Sequence, residues 1–596
     1  MKKFLSLTLT LIILAGCFAV NVGAEELTFT PGTYTATVNG NVGPITVETV
    51  FSEHAIESVQ VISQNETRIV SAPAIERIPK SIVEYQSLGV DAISSCTVTS
   101  AAIIYAVSEC VKQAGGDASA LRKVPVPKPE QKDMELEADV VVVGAGASGL
   151  AAANAAADSG KHVIVLERAD VSGGTSALSG GMMPIIGLEG QEEKGINTTV
   201  EEMVDWWMQA DETYSIRPYN PDIDYRANRE FLLSHTVDVY HFLNEHNDPL
   251  CDNPIKGSSW QGIKFEYYSA NRVDATDTYD SGGAEHTKAL TENLAKYDNV
   301  DVYYSTRVTE ITCEDGKVSG VIANGPSGKV TVKSPKVILA TGGYSRNGEL
   351  LQRFTGESPD FAPYTAMGIG ATGDGIIMAE AIGAKVIEEG ETVTLAYPLN
   401  AGFVKSAINS VKGVLIIDGN GKRAANFNVE RVTFIDQFEK AYNETGRVLE
   451  LHDANSDTAA VLEENLSSPS VFKADSIEEL AGLLNIDPAV LKETVDTYNA
   501  YCDAGEDPEF GQTTLTRIDT APFYATKHML ANIDTYGGVM TNMDYEVLNT
   551  DGEVIEGLYA VGSMAFGKFV NQYHMSGASL LNCMVSGMTA GTHATK

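Results

Sequence analysis

The sequence predicts a mixed fold. An α/β domain built around a parallel sheet is interrupted by an inserted α+β domain and preceded by a small α+β domain. Three observations predict it. Asp139 to Arg168 reads as a complete strand–helix–strand unit with a glycine-rich turn. Segments between Gly32 and Val61 alternate apolar and polar residues, as half-buried strands do. Glycine-rich turns recur on both sides of a region, from about Glu391 to Ile533, where such turns stop. The two flanking parts therefore read as halves of one domain.

The strand–helix–strand unit carries the most chemistry. Val140–Val143 is a continuous apolar run, suited to a strand buried on both faces. Gly144, Gly146 and Gly149 follow with G-x-G-x-x-G spacing, enclosing Ala147 and Ser148. An alanine-rich, helix-favouring segment leads to a second apolar run, Val163–Leu166, ending in Glu167 and Arg168. Gly144 allows the tight turn, Gly146 lets a pyrophosphate approach the backbone, and Gly149 lets helix and strand pack closely. The helix N-terminus presents positive partial charge to phosphate, and Glu167 can accept from ribose hydroxyls. This is a Rossmann-like unit for a dinucleotide, with nothing in it to separate NAD from FAD.

At 596 residues the chain should hold several domains. A net charge of −38 excludes the basic surface that nucleic-acid binding requires. The first residues read as a secretion signal: Lys2 and Lys3, then the apolar stretch Phe4–Leu14, then Leu14-Ala15-Gly16-Cys17. L-A-G-C resembles a bacterial lipobox, which places the protein on the outer face of the cell membrane, anchored by lipid on Cys17. The seven cysteines, Cys17, Cys96, Cys110, Cys251, Cys313, Cys502 and Cys583, lie far apart. They form no zinc, iron–sulfur or c-type haem signature, and no metal site is expected.

Taken in order, residues 1–24 are the signal and tether and 25–121 the small α+β domain. There, strands at Gly32–Val38, Pro44–Val50 and Ile56–Val61 precede helices at Ile75–Tyr85 and from about Ala101 to Lys112. Residues 122–137, with Val124-Pro125-Val126-Pro127-Lys128-Pro129, form a stiff extended linker. Residues 138–390 are the first part of the α/β domain. A second glycine cluster, Gly173-Gly174-Thr175-Ser176 and Ser179-Gly180-Gly181, follows the βαβ unit. Val302–Tyr304, Val308–Thr312, Val318–Ile322 and Val330–Val332 read as one β-meander. Val337–Ala340 then leads into Thr341-Gly342-Gly343, and Thr372-Gly373-Asp374-Gly375 opens a helix. Residues 391–533 are the inserted domain. Residues 534–596 complete the α/β domain, with the apolar run Gly557–Gly562, then Ser563, and a last helix starting near Ser576-Gly577-Ala578-Ser579-Leu580-Leu581.

These motifs resemble those of the soluble fumarate reductase and urocanate reductase family, over nearly the whole chain. The resemblance implies a Rossmann-like FAD-binding domain with an inserted clamp domain. It adds the second glycine cluster, Thr341–Gly343, Asp374, Gly562 and Ser563, and Ser579–Leu581 to the FAD contacts. The small domain resembles the FMN-binding domain of bacterial respiratory flavoproteins, in which a D-x-x-S-G-A-T-type motif carries FMN as a phosphoester. Here Asp91 starts the motif and Thr97 is the attachment residue, with Ser95 and Cys96 where Gly and Ala are usual. A flavin transferase is implied as a partner, as is a membrane-bound electron donor for anaerobic respiration.

In that family a clamp arginine protonates the carbon next to the one that receives hydride. Arg431, following Gly421-Lys422-Arg423-Ala424-Ala425-Asn426, matches it. Elsewhere the chain departs from a fumarate reductase. Tyr397 stands for a carboxylate-binding histidine, Ser406, Ala407 and Ser410 replace relay residues, Ile533-Asp534 replaces a histidine pair, and His574 falls where an arginine is expected. With fewer fixed cations, a less charged small molecule is expected, an enoate or an enone; Tyr397 joins Arg431 among the catalytic candidates, and an enone's oxygen would be polarised by Tyr536, Tyr573 or His574. Two alternatives share the fold: a ketosteroid-like dehydrogenase working in reverse, and a surface flavin carrier without catalysis.

Overall fold

The computed structural model describes residues 28–41, 43–64, 66, 68–128, 130–215, 219–246, 252–256, 266–270, 282–356, 367–398, 414–426, 429, 431–466, 468–570, 572–575 and 577–596. The expected signal and Cys17 lie outside them, as do Ser406, Ala407 and Ser410. Among the described residues no helix is long and apolar enough to cross a membrane.

The central sheet has the order Val300–Tyr303, Val163–Leu166, Val140–Val143, Val337–Leu339, Val554–Ala560, Glu546–Leu548. The first five strands are parallel and the last is antiparallel. Val140–Val143, Val163–Leu166 and Val337–Leu339 are buried at every position, which is why they read as apolar runs without alternation. Val300–Tyr303 corrects the expected meander. It pairs with Val163–Leu166 at the sheet edge, because Val302 stacks in register on Val165. A four-residue run cannot signal which sheet it will join.

The helix Ala147–Ala157 is buried on all sides. The sheet covers one face and the last helix, Ala578–Ala594, crosses the other. Small residues make this crossing possible. A Cβ on Gly587 would lie 2.4 Å from the Ser148 carbonyl oxygen, and one on Gly591 2.3 Å from that of Ala152. The alanine run is thus a packing requirement as well as a helix preference.

The meander consists of Arg307–Glu314, Lys317–Gly325 and Gly328–Lys333. Met134–Glu137, expected to be linker, adds to it in parallel. Its M-E-L-E alternation suits an edge strand with one wet face. The small N-terminal domain is an antiparallel sheet of Gly32–Asn39, Pro44–Phe51 and Ile56–Ser63. It is packed by the helices Arg68–Tyr85 and Thr97–Gln113 around Ile45, Val47, Ile103 and Val107.

The inserted domain is tied to the α/β domain by a ribbon of two long antiparallel strands, Val386–Pro398 and Phe523–Val539. The expected junctions at 391 and 533 fall inside this ribbon. Beyond it, Val448–His452, Val414–Asp418 and Arg423–Ala425 continue the sheet. Helices Ile477–Leu484 and Pro488–Ala504 cover the face of Leu415, Ile417, Leu449 and Leu451. Helix Arg431–Thr445 covers the face of Val414, Ile416 and Val448.

A buried ion pair holds this domain's outer end. Arg423 donates two hydrogen bonds of 2.7 Å to Asp507, and its guanidinium lies over the Tyr498 and Phe510 rings. Burial alone would raise Asp507, but Arg423 and the Gln512 and Phe510 N–H groups outweigh it and hold the carboxyl at about 2. Arg423→Ala should cost about 3–5 kcal/mol, because it strands a buried carboxylate; denaturant unfolding measures this. The depressed carboxyl contributes fully above its ordinary value of about 3.9, and this contribution is lost as pH falls through about 2.

Candidate active site

The three glycines of the βαβ turn do three different things. Gly144 has φ of 108°, and a Cβ there would lie 2.4 Å from the Ala340 carbonyl oxygen. A Cβ on Gly149 would lie 1.9 Å from the Gly144 carbonyl oxygen, so this glycine sets the helix-to-strand spacing. Gly146 is different: the nearest atom its Cβ would meet is the Gly173 carbonyl oxygen, 3.9 Å away. The space it leaves is part of a cavity of about 430 Å³. The helix Ala147–Ala157 starts at its edge, with Gly146 as an N-cap that brings no side chain.

Thirteen expected residues line this cavity. Gly144, Gly146, Ala147, Ser148, Glu167 and Arg168 come from the βαβ unit. Gly174, Thr175 and Ser176 come from the second glycine cluster, and Thr341, Gly342, Asp374 and Ser563 from segments far along the chain. Glu167 also has a structural duty. Its carboxylate accepts from the Ala145 N–H at 2.7 Å and the Ala169 N–H at 2.6 Å, fixing the turn it belongs to. Burial raises its pKa, with the two N–H groups and Arg168 opposing.

Sequence reasoning missed Arg307, Arg346 and Cys583, which also line the cavity. Asp374 organises the cations. Arg307 binds it at 2.8 and 3.0 Å, Arg168 reaches it at 3.5 Å, and Thr372 donates to it at 2.9 Å. Burial opposes its ionisation, but Arg307, Thr372 and Arg168 prevail and lower its pKa. Arg346 binds the Gly368 and Met367 carbonyl oxygens, and burial, then the Arg168 charge, lowers its pKa. Burial, then Asp534, pushes the Cys583 thiol up to about 12, so it is an unreactive wall. No local pattern marks these arginines; only the fold brings them to one opening.

The remaining expected contacts support the cavity from behind. The Gly173 N–H donates to the Ala145 carbonyl at 2.8 Å and bridges to Gly146. Ser179 donates to the Ser176 carbonyl at 2.8 Å. Gly181 packs on Gly282, Gly343 on Thr535 and Gly562 on Ser148, each too close for a Cβ, whereas Gly180 has open space. Leu580 and Leu581 are buried in the hydrophobic core. Ser579 donates to Asp534, whose carboxyl also accepts from the Thr535 N–H at 2.9 Å and bonds Ser563. Burial, against these bonds, raises the Asp534 pKa.

On the far side, Tyr536 is 1% exposed; its ring meets Phe566 edge-on at 4.9 Å and Tyr573 at 5.7 Å. His574, expected at the substrate, sits against a buried carboxylate. It is fully buried, with Nε2 3.1 Å from Asp211, and Arg229 and Tyr219 bind the same carboxylate. Its place is set by this ion-pair cluster inside the fold. Arg431 begins the helix Arg431–Thr445 and Tyr397 lies in the ribbon strand, but both side chains fall outside the described residues.

In the N-terminal domain, Thr97 is exposed at the start of the helix Thr97–Gln113. Its neighbours are tied down. Thr99 donates to buried Glu66, and Ser100 accepts from the Ile93 N–H at 3.1 Å and donates to the Cys96 carbonyl at 3.0 Å. Asn41 of this domain lines the cavity of the α/β domain.

A Gly146 space open to phosphate, a buried acid for ribose, a helix N-terminus and a second glycine cluster fit FAD. The site is that of a flavoprotein oxidoreductase. A family model described as FAD binding domain matches residues 139–580, and one described as FMN-binding domain matches residues 40–112. The chain belongs to the FAD binding domain family, and fumarate reductases and a urocanate reductase are among its relatives. It is 27% identical to a urocanate reductase from Eggerthella lenta, over 98% of this chain and 96% of that protein. It is also 27% identical to an NADH:acrylate oxidoreductase from Vibrio harveyi, over 95% of this chain; the chain spans 61% of that relative. Among solved structures, an open conformation of a flavocytochrome c3 fumarate reductase is similar, with a TM-score of 0.66 at 25% identity. The match covers 77% of this chain and 78% of that one.

Gly149→Ala should abolish flavin binding, read as loss of flavin absorbance in purified protein. Glu167 is raised, so it takes up a proton at a pH where an ordinary glutamate stays ionised. Flavin affinity should therefore fall on acidification from an unusually high pH, and Glu167→Gln should bind weakly with little pH dependence; flavin titration distinguishes these.

Proposed function

We propose that the protein is an exported flavin reductase of activated C=C bonds, taking an enoate or enone less charged than fumarate. The observation that carries this reading is the cavity itself: a residue of the FMN-binding domain, Asn41, lines it together with the dinucleotide turn. FAD, when bound, would supply hydride to the C=C bond. The urocanate and acrylate reductases among the relatives, and a vinyl phenol reductase from Lactiplantibacillus plantarum, support a C=C substrate.

The chain's own residues would divide the work as follows. Gly144, Gly146, the Ala147 helix start, Glu167 and Arg168 hold FAD. Tyr573, half-buried beside the buried Tyr536 ring, offers an aromatic surface suited to a flat, weakly charged substrate. Arg431 protonates the substrate carbon beside the one reduced. An arginine keeps its proton to above about pH 12, so it donates only as strong basicity develops on that carbon. Thr97 carries FMN as a phosphoester: its hydroxyl is exposed, and the helix N-terminus beside it favours phosphate. A flavin transferase attaches that FMN, a membrane donor reduces it, and Cys17 anchors the protein by lipid.

Overall, the C=C bond takes up two electrons and two protons. Reduced methyl viologen with a panel of enoates and enones should reveal one preferred acceptor over fumarate. Arg431→Ala should lower its turnover about 10²–10⁴-fold while flavin content stays unchanged. Intact mass should show one FMN on the peptide holding Thr97, absent from Thr97→Ala. The Tyr536–Tyr573 pair favours a second reading, oxidation of a saturated cyclic ketone; faster ketone oxidation than enone reduction would establish that direction.

A further inference from the structure

The α/β domain and the FMN-binding domain meet at one carboxylate. Asp170 lies two residues after Arg168, between the cavity-lining Ala169 and Val171, and its side chain is 16% exposed. One oxygen accepts from the Ser305 hydroxyl at 2.5 Å. Ser305 belongs to the same domain and holds a left-handed backbone, φ 51°, with its N–H on the Ala169 carbonyl at 2.9 Å. A serine pays for that conformation, which aims its hydroxyl at Asp170. The second oxygen is thereby turned outward, toward the other domain. It accepts from the Ser94 backbone N–H at 3.0 Å. Arg77, on helix Arg68–Tyr85, stands 3.8 Å from the carboxylate. Ser94 opens the short turn Ser94–Cys96 that runs directly into Thr97.

We infer that Asp170 is an interdomain latch, a positioning residue that seats the loop carrying Thr97 at the mouth of the FAD cavity. The functional consequence rests on the reading of Thr97 as the FMN attachment site; the docking itself does not. The contact is built to be reversible. It joins one charge-assisted hydrogen bond to a solvent-exposed arginine contact, a combination that salt weakens. The proline-rich connection between the domains is a stiff spacer, so the small domain would leave and return by pivoting about its ends. A domain that collects electrons from a separate donor and delivers them to a buried cofactor needs such a weak, oriented seat.

The test uses the full chain in its flavin-free form, so that docking is read without turnover. Limited proteolysis of the linker and small-angle scattering report the docked fraction. Asp170→Ala should become more extended and be cut in the linker about tenfold faster, reflecting the lost charge-assisted bond. Wild type in molar salt should move the same way. Ser94→Pro removes the donor from the other side. Proline suits this first position of the turn, and the preceding Ile93 is already extended, with φ −71° and ψ 123°. It should reproduce the Asp170→Ala profile, with thermal melting showing that each variant is folded. Unchanged scattering and cleavage in both variants would overturn the latch. With flavins loaded, Asp170→Ala should also slow the arrival of electrons at FAD relative to their arrival at FMN. If intact mass finds no FMN on Thr97, the relay fails while the flavin-free measurements still decide the latch.

Discussion

The structure depends on a contact between two stretches of backbone with no side chain between them. Gly149 sits so close to Gly144 that a single added carbon would collide with its carbonyl. This approach lets the helix Ala147–Ala157 lie flat on the parallel sheet while the C-terminal helix crosses its other side on Gly587 and Gly591. The first and last parts of the α/β domain are thereby held together, and the cavity forms between them. Ser148, from the start of the unit, and Ser563 and Cys583, from its end, face the same space. Close packing of this kind tolerates almost no added volume.

Around that contact, charges are arranged at different depths for different purposes. The arginine–aspartate pair at residues 423 and 507 is buried and bidentate, and it makes the inserted domain rigid. The cluster of Asp211, Arg229 and His574 is likewise buried, within the α/β domain. Near the cavity mouth the pairs are more exposed: Arg307 to Asp374, and Arg77 to Asp170. Burial makes an ion pair costly to break, whereas solvent makes it weak and adjustable. The rigid pairs lie in the frame, and the adjustable ones lie where cofactor and domain must come and go.

The strands at the centre of the sheet were legible because full burial leaves an unbroken apolar run. The roles of Gly144, Gly146 and Gly149 were legible because only glycine satisfies each of them. The strand Val300–Tyr303 was assigned to the wrong sheet, since a four-residue alternation is equally compatible with an edge of either. Met134–Glu137 was masked by the prolines before it. The motif makes His574 a candidate for the substrate, and only the fold shows its contact with Asp211, more than three hundred residues earlier.

The sequence alone therefore determined the local chemistry: a dinucleotide turn, an acid at the end of the second strand, a helix start for phosphate, and a threonine just ahead of a helix in a separate domain. Each rests on conformational or spacing demands that act over a few residues. Only the tertiary structure decided which distant groups share an opening. Arg307, Arg346 and Asn41 come to one cavity from three separate segments, and Asp170 meets Ser94 across two domains. Such meetings are set by how layers pack and where chains cross, and no single segment encodes them.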